Sequence, residues 1–244
     1  MDSGYYAAFA GLVAKTQALE LVANNLANLN TNGYKGQREF YRSLTASLNS
    51  SGLSPLNRAV NDFGVLGGSL VDLRTGTLER TGNDLDLALE GSGFFVAQTP
   101  GGTRYTRNGS FRLSAAGRLV TASGDPVLGE QGPISLPPGQ VSISPDGTIS
   151  VKGAVVGRLR VVDLTAGPEL RPEGNTYFTA PAGSERPTVD PRVRQGALES
   201  SNLNPISEAV GLVALQRHAE LLQRALAIFH TDFNRTAVEE LPRV

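Results

Sequence analysis

Apolar residues recur at helical spacing near both ends of the chain and at strand spacing between them. In residues 1–31, Tyr5, Leu12, Leu19 and Leu26 repeat every seven positions, the spacing of a heptad seam. Residues 204–238 show steps of three and four, carried by Leu212, Leu215, Ala219, Leu222, Leu226, Phe229 and Phe233. The pattern therefore predicts an amphipathic helix at each end of the chain.

The middle of the chain has a different pattern of short apolar or alternating runs separated by turn residues. Turn signals such as Asn108-Gly109 and Pro145-Asp146-Gly147 separate the runs. The predicted strands are residues 69–73, 85–89, 94–98, 110–113, 141–144 and 155–164. Since no long helical pattern lies between them, an antiparallel β domain is expected rather than a parallel βαβ sheet.

The predicted fold class is α+β, with the two terminal helices paired as a coiled-coil-like inner domain. The predicted organisation is residues 1–35, N-terminal helix; 36–68, linker with a short helix through Phe40, Leu44 and Leu48; 69–180, mostly antiparallel β domain; 181–199, proline-containing linker; and 200–244, C-terminal helix. A two-helix coil alone is marginal, because nucleation is costly and a narrow seam buries little area. Neighbouring subunits are therefore expected to complete the apolar stripes.

The expected subunit interface combines apolar residues of both helices with polar residues that follow the first. These residues are Leu12, Leu19, Val22, Asn24, Asn25, Leu26, Asn28, Gly33, Leu212, Leu215, Leu222, Leu226 and Phe229. Asn24, Asn25 and Asn28 allow two interpretations. They either form a polar helix end capped near Gly33, or fix the register of a crowded helix interface, as a buried Asn does in coiled coils.

Composition excludes several classes of protein. The net charge is -1 without a block of like charge, so a basic nucleic-acid-binding face is not expected. No apolar run reaches the roughly 18 residues typical of a membrane span, and the N-terminus lacks the pattern of a secretory signal. With no cysteine, the chain can form no disulfide or thiolate metal site. A cytoplasmic protein, or one exported by another route, is therefore expected.

Candidate catalytic residues are few. Asp84, Asp86 and Glu90 form the best acidic cluster, and the alternative they support is a peptidoglycan-acting hydrolase; the solvated face of a strand is the other interpretation. His218 and His230 lie 12 positions apart, which is not the spacing of a helical metal pair. We predict no catalytic, cofactor-binding or metal site. A third alternative is a β-rich adhesin or effector with helical tails.

Three groups of motifs resemble one protein family. They are residues 24–35 (NNLANLNTNGYK), residues 196–205 (GALESSNLNP) before the last helix, and a central series at 76–78 (GTL), 81–82 (TG), 84–89 (DLDLAL), 91–95 (GSGFF) and 105–111 (YTRNGSF). In this order they resemble the bacterial flagellar axial proteins, which comprise rod, hook and hook-associated proteins. Met1-Asp2 with Tyr5, and residues 126–134, are most similar to proximal rod members. Residues 30–35 are closer to distal rod and hook members.

The resemblance implies a structural, non-enzymatic subunit of the basal-body rod, the helical drive shaft that transmits torque to the hook. It implies contacts with copies of itself and with other axial proteins, but no nucleic-acid binding and no membrane insertion. It also implies export of the unfolded chain by the flagellar type III apparatus, without a cleaved signal peptide, to a periplasmic rod. In such proteins the terminal helices form an inner coil, the β domain lies outside it, and the termini become ordered on assembly.

Overall fold

The computed structural model describes residues 2–42, 65–164, 170–174, 176–181, 183–188 and 191–239. Helix α1 is Asp2–Ala27 and helix α2 is Pro205–Glu239. Between them lie strands β1 (Gln37–Arg42), β2 (Val65–Val71), β3 (Leu78–Arg80), β4 (Leu87–Leu89), β5 (Phe94–Thr99), β6 (Gly102–Thr106), β7 (Arg112–Leu113), β8 (Leu119–Val120), β9 (Leu128–Gly129), β10 (Gly132–Pro133), β11 (Val141–Ile143), β12 (Thr148–Val151), β13 (Ala154–Arg158), β14 (Val161–Leu164), β15 (Arg171–Glu173), β16 (Tyr177–Thr179), β17 (Glu185–Pro187), β18 (Val193–Gln195) and β19 (Ala197–Glu199). The predicted α+β class, with terminal helices and mostly antiparallel sheets, is confirmed.

The chain divides into two compact units. The helical unit comprises Met1–Leu26, Arg38–Ser69 and Pro205–Val244, and the β unit comprises Ala27–Gln37 and Leu70–Asn204. The β unit therefore includes the end of α1 and the short segment that follows it. It also includes the whole segment that leads into α2.

A six-stranded antiparallel sheet, in the order β15-β16-β6-β5-β14-β17, organises the β unit. Successive side chains of a strand point to opposite faces, so the adjacent Phe94 and Phe95 of β5 enter different cores. Phe95 packs edge-to-face on Phe111 at 5.1 Å between ring centroids, and Phe94 packs on Phe178 at 5.5 Å. The sheet is thus covered on both faces, which explains the continuous apolar run at the start of β5.

The predicted linker at residues 181–199 instead contains strands β17, β18 and β19. Strand β18 pairs with β4 through Val193 and Leu89, and β19 pairs with β3 through Glu199 and Leu78. The prolines in this region ended the local apolar pattern, but β17 pairs with β14, and β18 and β19 are held by partners more than 100 positions earlier. This part of the chain therefore belongs to the β unit.

Two other predictions differ from the structure. Phe40, expected in a short helix, lies in strand β1, while Leu44 and Leu48 fall outside the described residues. The single strand expected over 155–164 is two strands, β13 and β14, separated at Leu159. Leu159 is buried and donates its amide to the carbonyl oxygen of Gly147, so an apolar residue fills the connection and hides the break from the sequence pattern.

Candidate assembly site and charged junction

Helices α1 and α2 contact each other within the helical unit. The Asn25 side-chain amide donates to Glu208 Oε2 at 3.2 Å, and a Cβ added at Gly11 would lie 3.6 Å from Leu222 Cδ1. In both contacts the two residue numbers sum to 233, so the helices run antiparallel in one register. Small residues allow this approach, since Ala14 and Ala18 of α1 and Ala219 of α2 are the buried apolar residues of the two helices.

The predicted leucine stripes flank this contact. In α1, Leu12, Leu19, Val22 and Leu26 are partly buried, and in α2 so are Leu212, Leu215, Leu222 and Leu226, whereas Phe229 is exposed. The α2 stripe lies on the side that contacts α1. In α1 the buried residues form a different row, Ala14, Ala18 and Asn25, while the heptad leucines lie at its margin.

The opposite face of α2 is also apolar, and it is exposed. At 100° per residue, one face collects Ile206, Val210, Val213, Leu221 and Ile228, which are between 48 and 76% exposed. We call this set the outward face of α2. At the start of α1, Tyr5, Phe9 and Val13 are likewise exposed at helical spacing. Thus α2 has apolar side chains on two opposite sides.

A second site lies in the β unit, where the motif residues converge on Glu199. The Glu199 carboxylate is fully buried and accepts from Lys35 Nζ at 2.5 Å, the Gly76 amide at 2.8 Å and Arg107 Nη1 at 3.2 Å. Lys35 also donates to the carbonyl oxygen of Arg74 at 2.7 Å. We call Lys35, Arg107 and Glu199 the charged junction.

The charged junction holds two cations and one carboxylate away from solvent. Burial lowers the pKa of Lys35 and of Arg107, while the Glu199 charge opposes that change at both residues. Removal of one partner from a buried ion pair costs about 3–5 kcal/mol, because the remaining charge stays buried without compensation. Glu199 is therefore the residue on which burial of both cations depends.

Close backbone contacts surround the charged junction. We call residues 33–36 the incoming segment and residues 199–202 the outgoing segment. The Gly33 amide donates to the carbonyl oxygen of Glu199 at 2.6 Å, and the Gly36 amide donates to Asn202 Oδ1 at 2.9 Å. A Cβ at Gly33 would overlap the backbone nitrogen of Asn108, and one at Gly76 would overlap the carbonyl oxygen of Ser200. Glycine at both positions lets the backbones touch.

The predicted polar interface residues have separate environments. Asn25 is buried at the α1–α2 contact, and Asn24 is exposed. Asn28 lies beyond the helix, where its Oδ1 accepts from the Thr31 hydroxyl at 3.2 Å. Gly33 does not end the helix, as α1 stops at Ala27; it lies six residues later against the β unit with φ +69°. The asparagines and Thr31 form the turn instead, because Asn favours local hydrogen bonds over a continued helix.

The acidic cluster does not form a catalytic pair. Asp84 is exposed, and Glu90 pairs at the surface with Arg194 at 3.2 Å. Asp86 was expected on a solvated strand face, but it is buried and accepts from the Asn83 side chain at 3.1 Å. The asparagine supplies a hydrogen bond that water would otherwise provide. His218 and His230 are both exposed on α2.

Neither a membrane span nor a metal cluster is found in the described ranges. Neither helix there is long and apolar enough to cross a membrane. No group of three or more His, Cys, Asp and Glu side chains in those ranges is placed to bind a metal ion.

Comparison with known families gives two matches. Residues 6–35 match the family described as flagella basal body rod protein, and residues 88–151 match the D1 domain of the flagellar hook protein FlgE/F/G family. The first match covers most of α1 and ends at Lys35. The second includes Arg107 of the charged junction.

Relatives extend the similarity to the whole chain. The chain is 34% identical to the flagellar basal-body rod protein FlgF of Caulobacter vibrioides, over 100% of both chains. The chain belongs to the flagellar basal-body rod protein family. It is also similar to FlgF of Salmonella typhimurium, at 33% identity over 93% of each chain, and to FlgG of Buchnera aphidicola, at 32% identity over 89% of this chain and 92% of that one.

As a flagellar basal-body rod protein, the chain is a structural subunit and not an enzyme. Rod and hook proteins assemble into the axial structures of the flagellum, so this chain is a component of the basal body. The hydrolase alternative based on Asp84, Asp86 and Glu90 has no support from these relatives.

Sequence reasoning did not select the residues of the charged junction as site residues. Lys35, Arg107 and Glu199 each lie inside a motif that carried the family resemblance. The sequence does contain a signal that could have identified them, because each is a charged residue within a segment of Gly, Asn, Ser and apolar residues. Their mutual contacts depend on long-range pairing, since Lys35 and Glu199 are 164 positions apart.

Proposed function

We propose that this rod protein joins the basal-body rod through its terminal helices, which pair as a coiled-coil-like inner coil and contact copies of the chain and other axial proteins. The observation that carries this proposal is the apolar character of two opposite sides of α2. One side contacts α1, and the outward face remains exposed in the single chain.

The size of the outward face supports an interface. Ile206 and Ile228 are 22 positions apart, which corresponds to about 33 Å along a helix. Arg217 and Arg224 lie between the apolar residues of this face, so it is an exposed row of apolar side chains with charged residues among them, and exposed apolar surface rimmed by polar residues marks interaction sites. A contact that uses different surfaces on the two copies, with a rotation that does not close, generates a helical assembly. The proposed interface also includes the partly buried leucines and the asparagines predicted above.

The edges of the main sheet favour helix-mediated assembly over strand pairing. Edge strand β15 has the sequence Arg171-Pro172-Glu173, and edge strand β17 has Glu185-Arg186-Pro187. Proline lacks an amide donor, and charged residues disfavour edge-to-edge pairing, so both strands oppose extension of the sheet. Assembly through the helices leaves these edges unused.

The place and route of assembly are part of the same proposal. The chain occupies the proximal rod, consistent with the motifs at Met1-Asp2 and residues 126–134; the distal rod is the second choice, on residues 30–35. It reaches the periplasm as an unfolded chain through the flagellar export apparatus, without a cleaved signal peptide. In the rod it transmits torque to the hook.

Substitution on the outward face tests the proposal. Leu221→Asp changes a 60% exposed residue, so the free protein should fold normally, but the charge should block incorporation, because it would be buried at the interface. Val155→Asp, at a 72% exposed position on the β unit, is the matched control. We expect Leu221→Asp cells to be non-motile and to lack complete rods in electron micrographs. Motile Leu221→Asp cells with normal rods would refute the helix-mediated contact.

The position within the rod is tested by imaging basal bodies from a strain that lacks the chain. Assembly should stop before the distal rod if the chain is proximal. Basal bodies with a complete proximal segment and no distal segment would instead assign the chain to the distal rod.

A further inference from the structure

We propose that the charged junction imposes an order on folding: the outgoing segment docks on the rest of the β unit first, and the incoming segment can dock only afterwards. The N-terminal segment would thereby stay undocked until the C-terminal part of the chain is present. The inference concerns the free chain, and it holds whether or not the helices make the rod contacts proposed above.

Charge is the first reason for this order. If the incoming segment docked alone, the Lys35 ammonium would be buried beside the buried Arg107 guanidinium without Glu199. If the outgoing segment docked alone, Glu199 would still form its ion pair with Arg107. The first arrangement is opposed by repulsion and desolvation, whereas the second forms a compensated pair.

Other carboxylates do not compensate the two cations well enough to let the incoming segment dock first. Asp72 also acts electrostatically on Lys35, and Asp163 acts on Arg107, but each has a weaker effect than Glu199. Asp72 is in addition paired with Arg74 at 2.6 Å. Among the carboxylates in the described part of the chain, Glu199 is the one that hydrogen-bonds to both cations of the junction.

Backbone hydrogen bonds give an independent reason. The outgoing segment continues from β19, which pairs with β3, and the Ser200 amide donates to the carbonyl oxygen of Thr77 at 2.9 Å. Asn202 also donates to the carbonyl oxygens of Asp72 and Arg74. None of these contacts involves a residue of the incoming segment.

Three hydrogen bonds of the incoming segment are made to the outgoing one. Gly33 donates to the Glu199 carbonyl oxygen, Lys35 to the Glu199 carboxylate, and Gly36 to the Asn202 side chain. Two further contacts, of Lys35 with Arg74 and of Gly36 with Asp72, reach the β2–β3 connection instead. The surface on which the incoming segment docks is thus incomplete before residues 199–202 are in place.

Pulsed hydrogen exchange during refolding of the full-length chain tests the order. We expect amides of residues 197–202 to become protected at least threefold faster than those of residues 33–36. In Lys35→Met, the incoming amides should exchange at least tenfold faster in the native state, while the outgoing amides stay within twofold of wild type. In Glu199→Gln, the amides of both segments should exchange at least tenfold faster than in wild type. The control is Glu173→Gln, which removes an exposed carboxylate paired with Arg104. It should leave amide exchange in both segments unchanged.

Amides of β5 and β6 report whether each variant is folded. If Glu199→Gln does not fold, Glu199→Asp, which keeps the charge on a shorter side chain, replaces it with the same expected direction. The proposal is overturned if the incoming segment is protected first or simultaneously. It is also overturned if Lys35→Met accelerates amide exchange in residues 197–202 as much as in residues 33–36.

Discussion

Gly33 shows how one residue fixes the path of the chain onto the β unit. Its φ of +69° lies in the left-handed region, and the space where a Cβ would project is filled by the Asn108 backbone. Two physical constraints thus act at one position. Neither is visible in local helix or strand patterns, which is why sequence analysis assigned Gly33 to the end of α1.

Substitution of Gly33 separates these two constraints. Gly82 has a similar φ of +76° but open space at its Cβ position, so Gly82→Ala should cost only about 1–2 kcal/mol for the left-handed backbone. Gly33→Ala should cost at least about 2 kcal/mol more, because the Asn108 backbone must move. Urea unfolding of both variants measures the difference. Equal losses would show that the close approach at Gly33 has no energetic role.

Because the pKa of Tyr177 is raised in the folded protein, we expect the protein to lose stability in alkaline solution. Burial, together with its hydrogen bond to Asp125, raises the pKa of Tyr177 to about 12, whereas an unfolded tyrosine titrates near pH 10. Between these values the folded state holds a proton that the unfolded state has lost, so stability falls as pH rises. The stabilising contribution is complete below about pH 10 and is lost through about pH 12.

Tyr177→Phe should therefore make the unfolding free energy fall less steeply between about pH 10 and 12. The remaining fall is expected from Tyr105, whose pKa is raised by burial and by Glu185. Tyr5→Phe removes an exposed phenol and serves as the control. Urea unfolding at several pH values measures the slopes, and identical slopes for Tyr177→Phe and wild type would contradict the assignment.

At the scale of the elements, regular patterns predicted the long elements well. Helix α2 was expected over 204–238 and spans Pro205–Glu239, because a long amphipathic repeat specifies both type and length. Strand β5 was expected over 94–98 and spans Phe94–Thr99. Short strands such as β17 and β19 were missed, since two or three residues carry no period of their own and depend on distant partners.

The sequence pattern also did not predict which residues of the two helices pack against each other. The heptad leucines predicted that α1 and α2 were amphipathic, but the buried apolar residues of α1 are Ala14 and Ala18, and Gly11 lies against Leu222. In the sequence, alanine is read as a strong helix former and glycine as a weak one, so neither marks the buried side of a helix as leucine does. Close packing of helices nevertheless requires them.

Disulfide formation tests the antiparallel register. The chain has no cysteine, so Ala14→Cys combined with Ala219→Cys gives one defined pair at positions that face each other in this register. We expect rapid cross-linking under mild oxidation, measured by gel mobility. The control pair is Ala14→Cys with Leu226→Cys, displaced by about two turns, or roughly 10 Å, which is beyond disulfide reach. Faster cross-linking of the control pair would reject the register.

For the whole molecule, the two units expose different kinds of surface. The β unit has two apolar cores, and the edge strands of its main sheet carry proline and charged residues. The helical unit exposes apolar residues on α1 and along the outward face of α2. The central claim is that neighbouring subunits cover this outward face in the rod.

Cysteine accessibility in the assembled rod tests that claim most directly. A single cysteine at Leu221→Cys, in a chain that has no other, should react rapidly with a maleimide in the free protein and at least tenfold more slowly in isolated basal bodies. Val155→Cys on the β unit should react at similar rates in both. If Leu221→Cys reacts as fast in intact rods as in the free chain, neighbouring subunits do not cover the outward face, and the proposed assembly is wrong.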